Sequence, residues 1–228
     1  MRTARPFVLI HSPLLGALTW QPVAEQLGAH GYTVFTPELV DGPENDQPLW
    51  WQQVESVHSP ARGAVLVGHS GAGALLPSMA AKLGASAMIF VDAVLLFEPA
   101  TRLDLMRAED PPWGEEFQRH LQAGGVFPDW TDDTLREAIP DPALRQRLLA
   151  DMRPRALDFF LERITPPPAW DATPCAYIQL SETYGFYAEQ AGARGWPVIR
   201  RHLHHFAVLT HPAEIADLLV EASEQLAG

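Results

Sequence analysis

The 228 residues contain one cysteine and one lysine, at positions 175 and 82. A single cysteine excludes an internal disulfide and suits a reducing compartment. Cys175 sits in the apolar run "CAYIQL" and reads as a small core residue rather than a reactive thiol. With lysine nearly absent, Lys and Arg total 16 against 28 Asp and Glu, a net charge of -12. No basic cluster of the kind that holds nucleic acid or an anionic membrane is present, so neither is an expected partner. Long apolar runs are missing too. None approaches the roughly eighteen uninterrupted residues that span a bilayer. Arg2 and Arg5 precede "FVLI" in a way that mimics a secretory leader, but His11, Ser12 and Pro13 break the run at once. The expectation is a soluble, cytoplasmic protein. Its 47% hydrophobic and 19% charged residues are ordinary for a folded core, and its length fits one domain, with or without an insertion.

Short apolar runs alternate with helix-length stretches. Strands are expected at "FVLIH" (7–11), "TVFTPE" (33–38), "AVLVGH" (64–69), "AMIFVDA" (87–93), "CAYIQLS" (175–181) and "PVIRRHL" (197–203). The first, third and fourth are apolar throughout, as strands covered on both faces of a parallel sheet are. Trp20, Val23 and Leu27 make one helical stripe, and Trp50, Val54 and Val57 another. The last helix is expected to start at Pro212, with Ile215, Leu218, Leu219 and Ala222 facing inward. This alternation predicts an α/β fold: about six mostly parallel strands in three layers, joined by right-handed crossovers. From Leu96 to Pro168 no strand is expected, only helical pieces rich in Trp, Pro and charge, closed by "TPPPAWDATP". The expected division is a core of 1–96 and 169–228 with a helical cap, 97–168, inserted in it.

"AVLVGHSGAG" (64–73) places Ser70 between two glycines directly after a buried-strand run. A serine nucleophile on a strand-to-helix elbow needs small residues two before and two after it, because the sharp turn crowds backbone against helix. Gly68 and Ala72 meet that need, and Gly71 and Gly73 thin the turn further. Ser70 would then stand above the C-terminal sheet edge, where ligands bind in open α/β sheets. The Gly71 N–H would open a helix whose dipole favours developing negative charge. Read without chemistry, "GHSG" is a polar turn. Pro77 is expected to kink the following helix.

A serine hydroxyl needs a base. "RHLHHFAVLTHPAEIADLL" offers His202, His204, His205 and His211 in the loop before the last helix, with His205 lying 135 positions beyond Ser70. Zinc binding by His202, His204 and His205 is the rival reading. It is disfavoured because His205 points away from the strand face that His202 and His204 share, and no nearby carboxylate or thiol completes a set. His30 and His58 read as helix-end residues, His120 as cap surface, and His69 as packing beside the nucleophile.

These stretches together resemble the α/β-hydrolase superfamily. "FVLIHSPLLGALTWQPVAEQLGAHGYTVFTPEL" is similar to the opening of its plant esterase and hydroxynitrile-lyase branch. "LVGHSGAGALL" is similar to the nucleophile elbow, and "HHFAVLTHPAEIADLL" to the catalytic-histidine loop. The resemblance implies Ser70 as nucleophile and His205 as base, with His204 in reserve. It places the acid after "CAYIQLS", where Glu182 is the only carboxylate and is preferred, or one strand earlier at Asp92. It also implies an oxyanion loop at "HSPLLG", where Pro13 occupies the usual donor position and lacks an N–H. The donors expected beside Gly71 are therefore Ser12 or Leu14.

The function these residues imply is a serine hydrolase acting on an ester or thioester of a small apolar or aromatic acyl group. No metal or organic cofactor is implied. Trp113, Phe117, Phe127, Trp130, Phe159 and Phe160 are expected to line the substrate pocket; read blandly, they glue cap to sheet. Acyl transfer uses the same residues. An acyl carrier protein would be its partner, drawn by Arg145, Arg147, Arg153 and Arg155, which read otherwise as solvated helix-face charges. A hydroxynitrile-lyase-like lyase would need a cation near the leaving group, and Lys82 lies on the elbow helix. A non-catalytic ligand-binding member of the fold remains the alternative outside enzymes.

Overall fold

The computed structural model describes residues 5–58 and 63–226. Eight strands follow in chain order: β1 (Phe7–Ile10), β2 (Val34–Phe35), β3 (Val65–Ser70), β4 (Ala87–Ala93), β5 (Ala100–Thr101), β6 (Arg163–Ile164), β7 (Cys175–Gln179) and β8 (Val198–Arg200). Six of them form one sheet in the order β2-β1-β3-β4-β7-β8, and every described pairing in it is parallel. Alternation along each strand sends side chains to opposite faces. Phe7, Leu9, Val65, Val67, Ile89 and Val91 enter one core with Val23 and Leu27 of helix Gln21–Ala29 and with Ile215, Leu218 and Leu219 of helix Pro212–Gln225. Val8, Ile10, Leu66, Met88 and Phe90 enter the other, against helices Leu49–Ser56, Leu76–Leu83 and Gly185–Ala193. The result is the three-layer α/β sandwich that the apolar strands call for. Each side chain so buried contributes about 1.5–3 kcal/mol relative to exposure.

Two local expectations are corrected. Pro77 does not kink a helix: the chain passes through a 3-10 turn, Gly71–Ala74, and Pro77 falls in the first turn of Leu76–Leu83, where its missing N–H is not needed. The stretch from Leu96 to Pro168 is not free of strands, because β5 and β6 pair antiparallel through Ala100↔Ile164 and Thr101↔Arg163. Between these two strands run five helices among the described residues: Arg102–Glu109, Pro111–Gln122, Asp132–Leu135, Pro142–Asp151 and Leu157–Leu161. Side chains of Thr101, Asp110, Thr131 and Asp141 cap four of them, which satisfies N–H groups that a helix start leaves orphaned.

Of the four arginines named for a carrier protein, only Arg147 is exposed; the other three are engaged within the fold. Arg145 is buried, pairs with Asp132 at 2.8 Å, and donates to the carbonyls of Ile139 and Pro140. Arg153 reaches back to Glu38 and to the Leu39 carbonyl, and Arg155 to Asp41. These pairs tie the helical segment to the loop after β2. No described helix is long and apolar enough to cross a membrane.

Candidate active site

β3 runs straight into Ser70, whose φ of 58° and ψ of -128° put a non-glycine residue in a strained conformation that costs on the order of 1–3 kcal/mol. The sheet register slips between His69 and Ser70, so that Ser70 pairs with Ala93 and Asp92 is skipped. A Cβ on Gly68 would lie 2.8 Å from the Leu76 side chain, and one on Gly73 only 2.1 Å from the Val94 carbonyl oxygen. The bend is therefore as cramped as its glycines imply, and Gly73 is its tightest point. A Cβ on Gly71 would make ordinary contact with Pro13 and Ser12, at 3.5 and 3.6 Å, which places the turn directly against the loop after β1.

Asp92 lies near the end of β4, fully buried and with φ of 40°. Its carboxylate accepts from Leu180 N–H (2.6 Å), Ser181 N–H (3.1 Å), Ser181 Oγ–H (2.6 Å) and His205 Nδ1 (3.2 Å). Burial by itself would raise its pKa, but the bond and charge of His205 and the donors from Ser181 and Leu180 outweigh it and hold the carboxyl below its ordinary value. Asp92 thus stays ionised, keeps the proton on His205 Nδ1 and leaves Nε2 as the basic nitrogen. Glu182 does not take this place: its side chain is exposed in the 3-10 turn Glu182–Tyr184. Of the two carboxylates expected beside the base, the one that meets His205 is Asp92 and not the preferred Glu182. The other histidines separate: His204 Nε2 meets Thr210 Oγ1 at 3.1 Å, and His202 is exposed. Among the described residues, no group of three or more His, Cys, Asp or Glu is arranged to hold a metal ion.

The imidazole of His205 is sandwiched between two rings. His69 stacks on one side at 4.4 Å and Tyr184 on the other at 4.8 Å with the planes 5° apart. His69 is more than packing, since its Nε2 meets the His205 carbonyl at 3.0 Å. Its complete burial, then the charge of His205, pull its pKa down to about 3, so it stays neutral with Nε2 as donor. Ser70 Oγ is hydrogen-bonded to the Tyr184 hydroxyl at 3.3 Å rather than to His205. Burial keeps that phenol protonated by raising its pKa.

Facing Ser70, the loop after β1 is held by His11, whose Nδ1 bonds the Ser12 carbonyl at 2.8 Å while Nε2 accepts from Leu39 N–H at 3.0 Å. Leu14 N–H points to Ser12 Oγ at 3.4 Å. Ser12, Leu14, Ser70, Gly71 and His205 border one cavity of about 650 Å³. Trp113, Phe127, Trp130, Phe159 and Phe160 supply its aromatic wall. Phe117 does not belong to that wall. It packs behind it, stacked on Trp113 and edge-on to Phe127 and Phe160.

Sequence reasoning missed Tyr184, Ser181, Arg102 and Glu109, which also border the cavity. Tyr184 and Ser181 flank Glu182 in "LSETY", but nothing in that run marks a tyrosine as the serine's partner.

A family profile described as "Alpha/beta hydrolase family" matches residues 7–218. Among solved structures, an extracellular alpha/beta-hydrolase from a Paenibacillus species, described as sharing structural and functional homology with tobacco salicylic acid binding protein 2, superposes with a TM-score of 0.77. The two are 21% identical over 96% of this chain and 99% of that one. Polyneuridine aldehyde esterase gives 0.68 at 19% identity, covering 97% of this chain and 100% of that one. Tomato methylketone synthase I, complexed with 2-tridecanone, gives 0.69 at 14%, covering 98% and 99%. No curated protein matches the sequence. Identities this low speak for shared fold.

Proposed function

Because the chain belongs to the alpha/beta hydrolase family, we propose that it hydrolyses carboxylic esters of small, largely apolar molecules through Ser70, His205 and Asp92. One observation carries the reading. A buried carboxylate fixes the tautomer of an imidazole that shares a cavity with a serine on a strained bend. As the substrate carbonyl arrives, Ser70 Oγ leaves the Tyr184 hydroxyl and attacks the carbonyl carbon. Its proton passes to His205 Nε2, and the new imidazolium is stabilised by Asp92. Hydrogen bonds of this kind are commonly long in the resting enzyme and tighten with substrate. The oxyanion is received by Gly71 N–H and Leu14 N–H, the latter turning from Ser12 Oγ, because Pro13 has no proton to give. The C–O bond to the alcohol then breaks, His205 Nε2 returns the proton to the alcohol oxygen, and water repeats the sequence on the acyl-enzyme.

Fluorophosphonate labelling tests this directly. The wild-type chain should gain one adduct, located at Ser70 by peptide mass, and Ser70→Ala should gain none. An unlabelled wild type that also leaves simple aryl esters untouched would sink the reading.

A further inference from the structure

Helix Arg102–Glu109 starts in the wall of the cavity that holds Ser70, and Arg102, its first residue, borders that cavity. The residue is buried, at 7% exposure. Its Nη1 is provided for: it donates to the Phe159 carbonyl at 2.9 Å and meets Glu162 at 3.4 Å. Nε and Nη2 are not. Both are closed to solvent, and neither has a hydrogen-bond partner among the described residues. These two nitrogens share one edge of the planar guanidinium, where Nε–H and an Nη2–H run parallel and match the two oxygens of a carboxylate. A buried donor left without an acceptor is costly, and here the two that lack one form a matched pair.

The charge around Arg102 is unbalanced as well. Glu162 is shared, since its carboxylate also accepts from the N–H groups of Leu49 at 2.7 Å and Trp50 at 3.3 Å. A second guanidinium, that of Arg155, lies 5.5 Å from the centre of the same Phe159 ring that Arg102 covers at 3.8 Å. Burial, opposed by Glu162 and helped by the charge of Arg155, pulls the Arg102 pKa down to about 10, which leaves it cationic at neutral pH. Glu109, an acid that also borders the cavity, stands at the far end of the helix, about 10 Å along its axis.

We propose that Arg102 is a specificity-determining residue whose Nε–Nη2 edge receives a carboxylate carried by the substrate, so that this site takes small esters bearing one free carboxylate besides the ester group. The proposal rests on the ester-hydrolase reading for its chemistry, while the binding preference stands on the cavity wall. Seating the carboxylate gives each of its oxygens one N–H donor. It needs a small movement of the wall at this point, where the Phe159 ring lies against the guanidinium. The aromatic wall suits the apolar chain between the two ends of such a substrate.

Calorimetry with Ser70→Ala protein separates binding from turnover. The probes are the monomethyl esters of glutaric, adipic and suberic acids, each beside its dimethyl ester, which lacks the charge. At the chain length that reaches from Ser70 to Arg102, the half-ester should bind about ten- to hundredfold tighter, the range of hydrogen bonds to a charged group. Adding Arg102→Gln should bring that ratio close to one. Glu162→Gln removes the competing negative charge and keeps an oxygen for the Leu49 N–H, so it should raise the ratio, and it decides the matter where Arg102→Gln does not fold. Equal or weaker binding of every half-ester, a preference that survives Arg102→Gln, or a ratio that Glu162→Gln fails to raise would overturn the proposal. Wild-type turnover of these esters reports separately on the hydrolase reading, which falls if none is cleaved and Ser70 resists fluorophosphonate, even where the half-esters bind in preference.

Discussion

Asp92 and Glu182 have the same functional group, and only their surroundings decide between them. Four donors converge on the buried Asp92, His205 among them, whereas Glu182 stands in solvent. Asp92→Asn should lower kcat/KM about 10³–10⁴-fold, because the amide no longer favours the productive tautomer. Glu182→Ala should leave it unchanged, and the reverse result would restore Glu182 as the acid. Tyr184→Phe should retain fluorophosphonate reactivity at Ser70, since the ring that stacks on His205 remains. Tyr184→Ala should slow labelling by freeing the imidazole. Ser70 and His205 were legible in sequence because each sits in a local pattern: small residues around a turn, and an imidazole before an apolar residue and a helix. Which carboxylate meets His205 was not legible, because that depends on how the ends of β4 and β7 lie side by side, which is a fact of packing between segments 88 residues apart. Tyr184 was hidden for the same reason, as it meets Ser70 across 114 positions.

The elbow offers the sharpest contrast between neighbouring residues of one element. Gly73→Ala would drive a methyl into the Val94 carbonyl at 2.1 Å, and the overpacking should destabilise the fold by about 1–3 kcal/mol, read as a drop in the urea midpoint. Gly71→Ala has ordinary contact distances of 3.5 and 3.6 Å, so it should leave that midpoint near wild type. Strands were the readable elements: Ala87–Ala93 coincides with its apolar run, and the central strands differ from theirs by a residue or so. Helices Arg102–Glu109 and Gly185–Ala193 went unseen. The first is mostly polar, and the second is so rich in Ala and Gly that neither shows a clear apolar stripe. Ribbon β5–β6 is two residues per strand, too short for any periodicity. Arg153 and Arg155 looked solvated because their anions, Glu38 and Asp41, lie more than a hundred residues away.

Acid should loosen the whole molecule. An unfolded chain protonates His69 near the ordinary imidazole value of 6.5, but the folded one does so only near 3. Between those values the unfolded state binds the extra proton, and this contribution to stability is lost by about 1.4 kcal/mol for each unit that the pH drops. Asp92 adds to the same trend, since stability from a carboxylate held below its ordinary value is lost as pH drops through its folded pKa. Glu109, raised to about 7, opposes it: its contribution is present at low pH and fades as pH rises through that value. Urea midpoints should change little from about pH 7 to about pH 5, where His69 and Glu109 oppose each other, and should fall below about pH 4.5, where only His69 and Asp92 act; His69→Gln should flatten that fall, and a fall that it leaves intact would discount His69 as its source. The protein also carries the means to count its unfolded molecules. Cys175 is 3% exposed and burial pushes its thiol up to about 12, so a thiol-alkylating reagent finds nothing to react with until the sheet comes apart. With no second cysteine to confuse the tally, a brief pulse of iodoacetamide followed by intact mass gives the unfolded fraction as one peak against another.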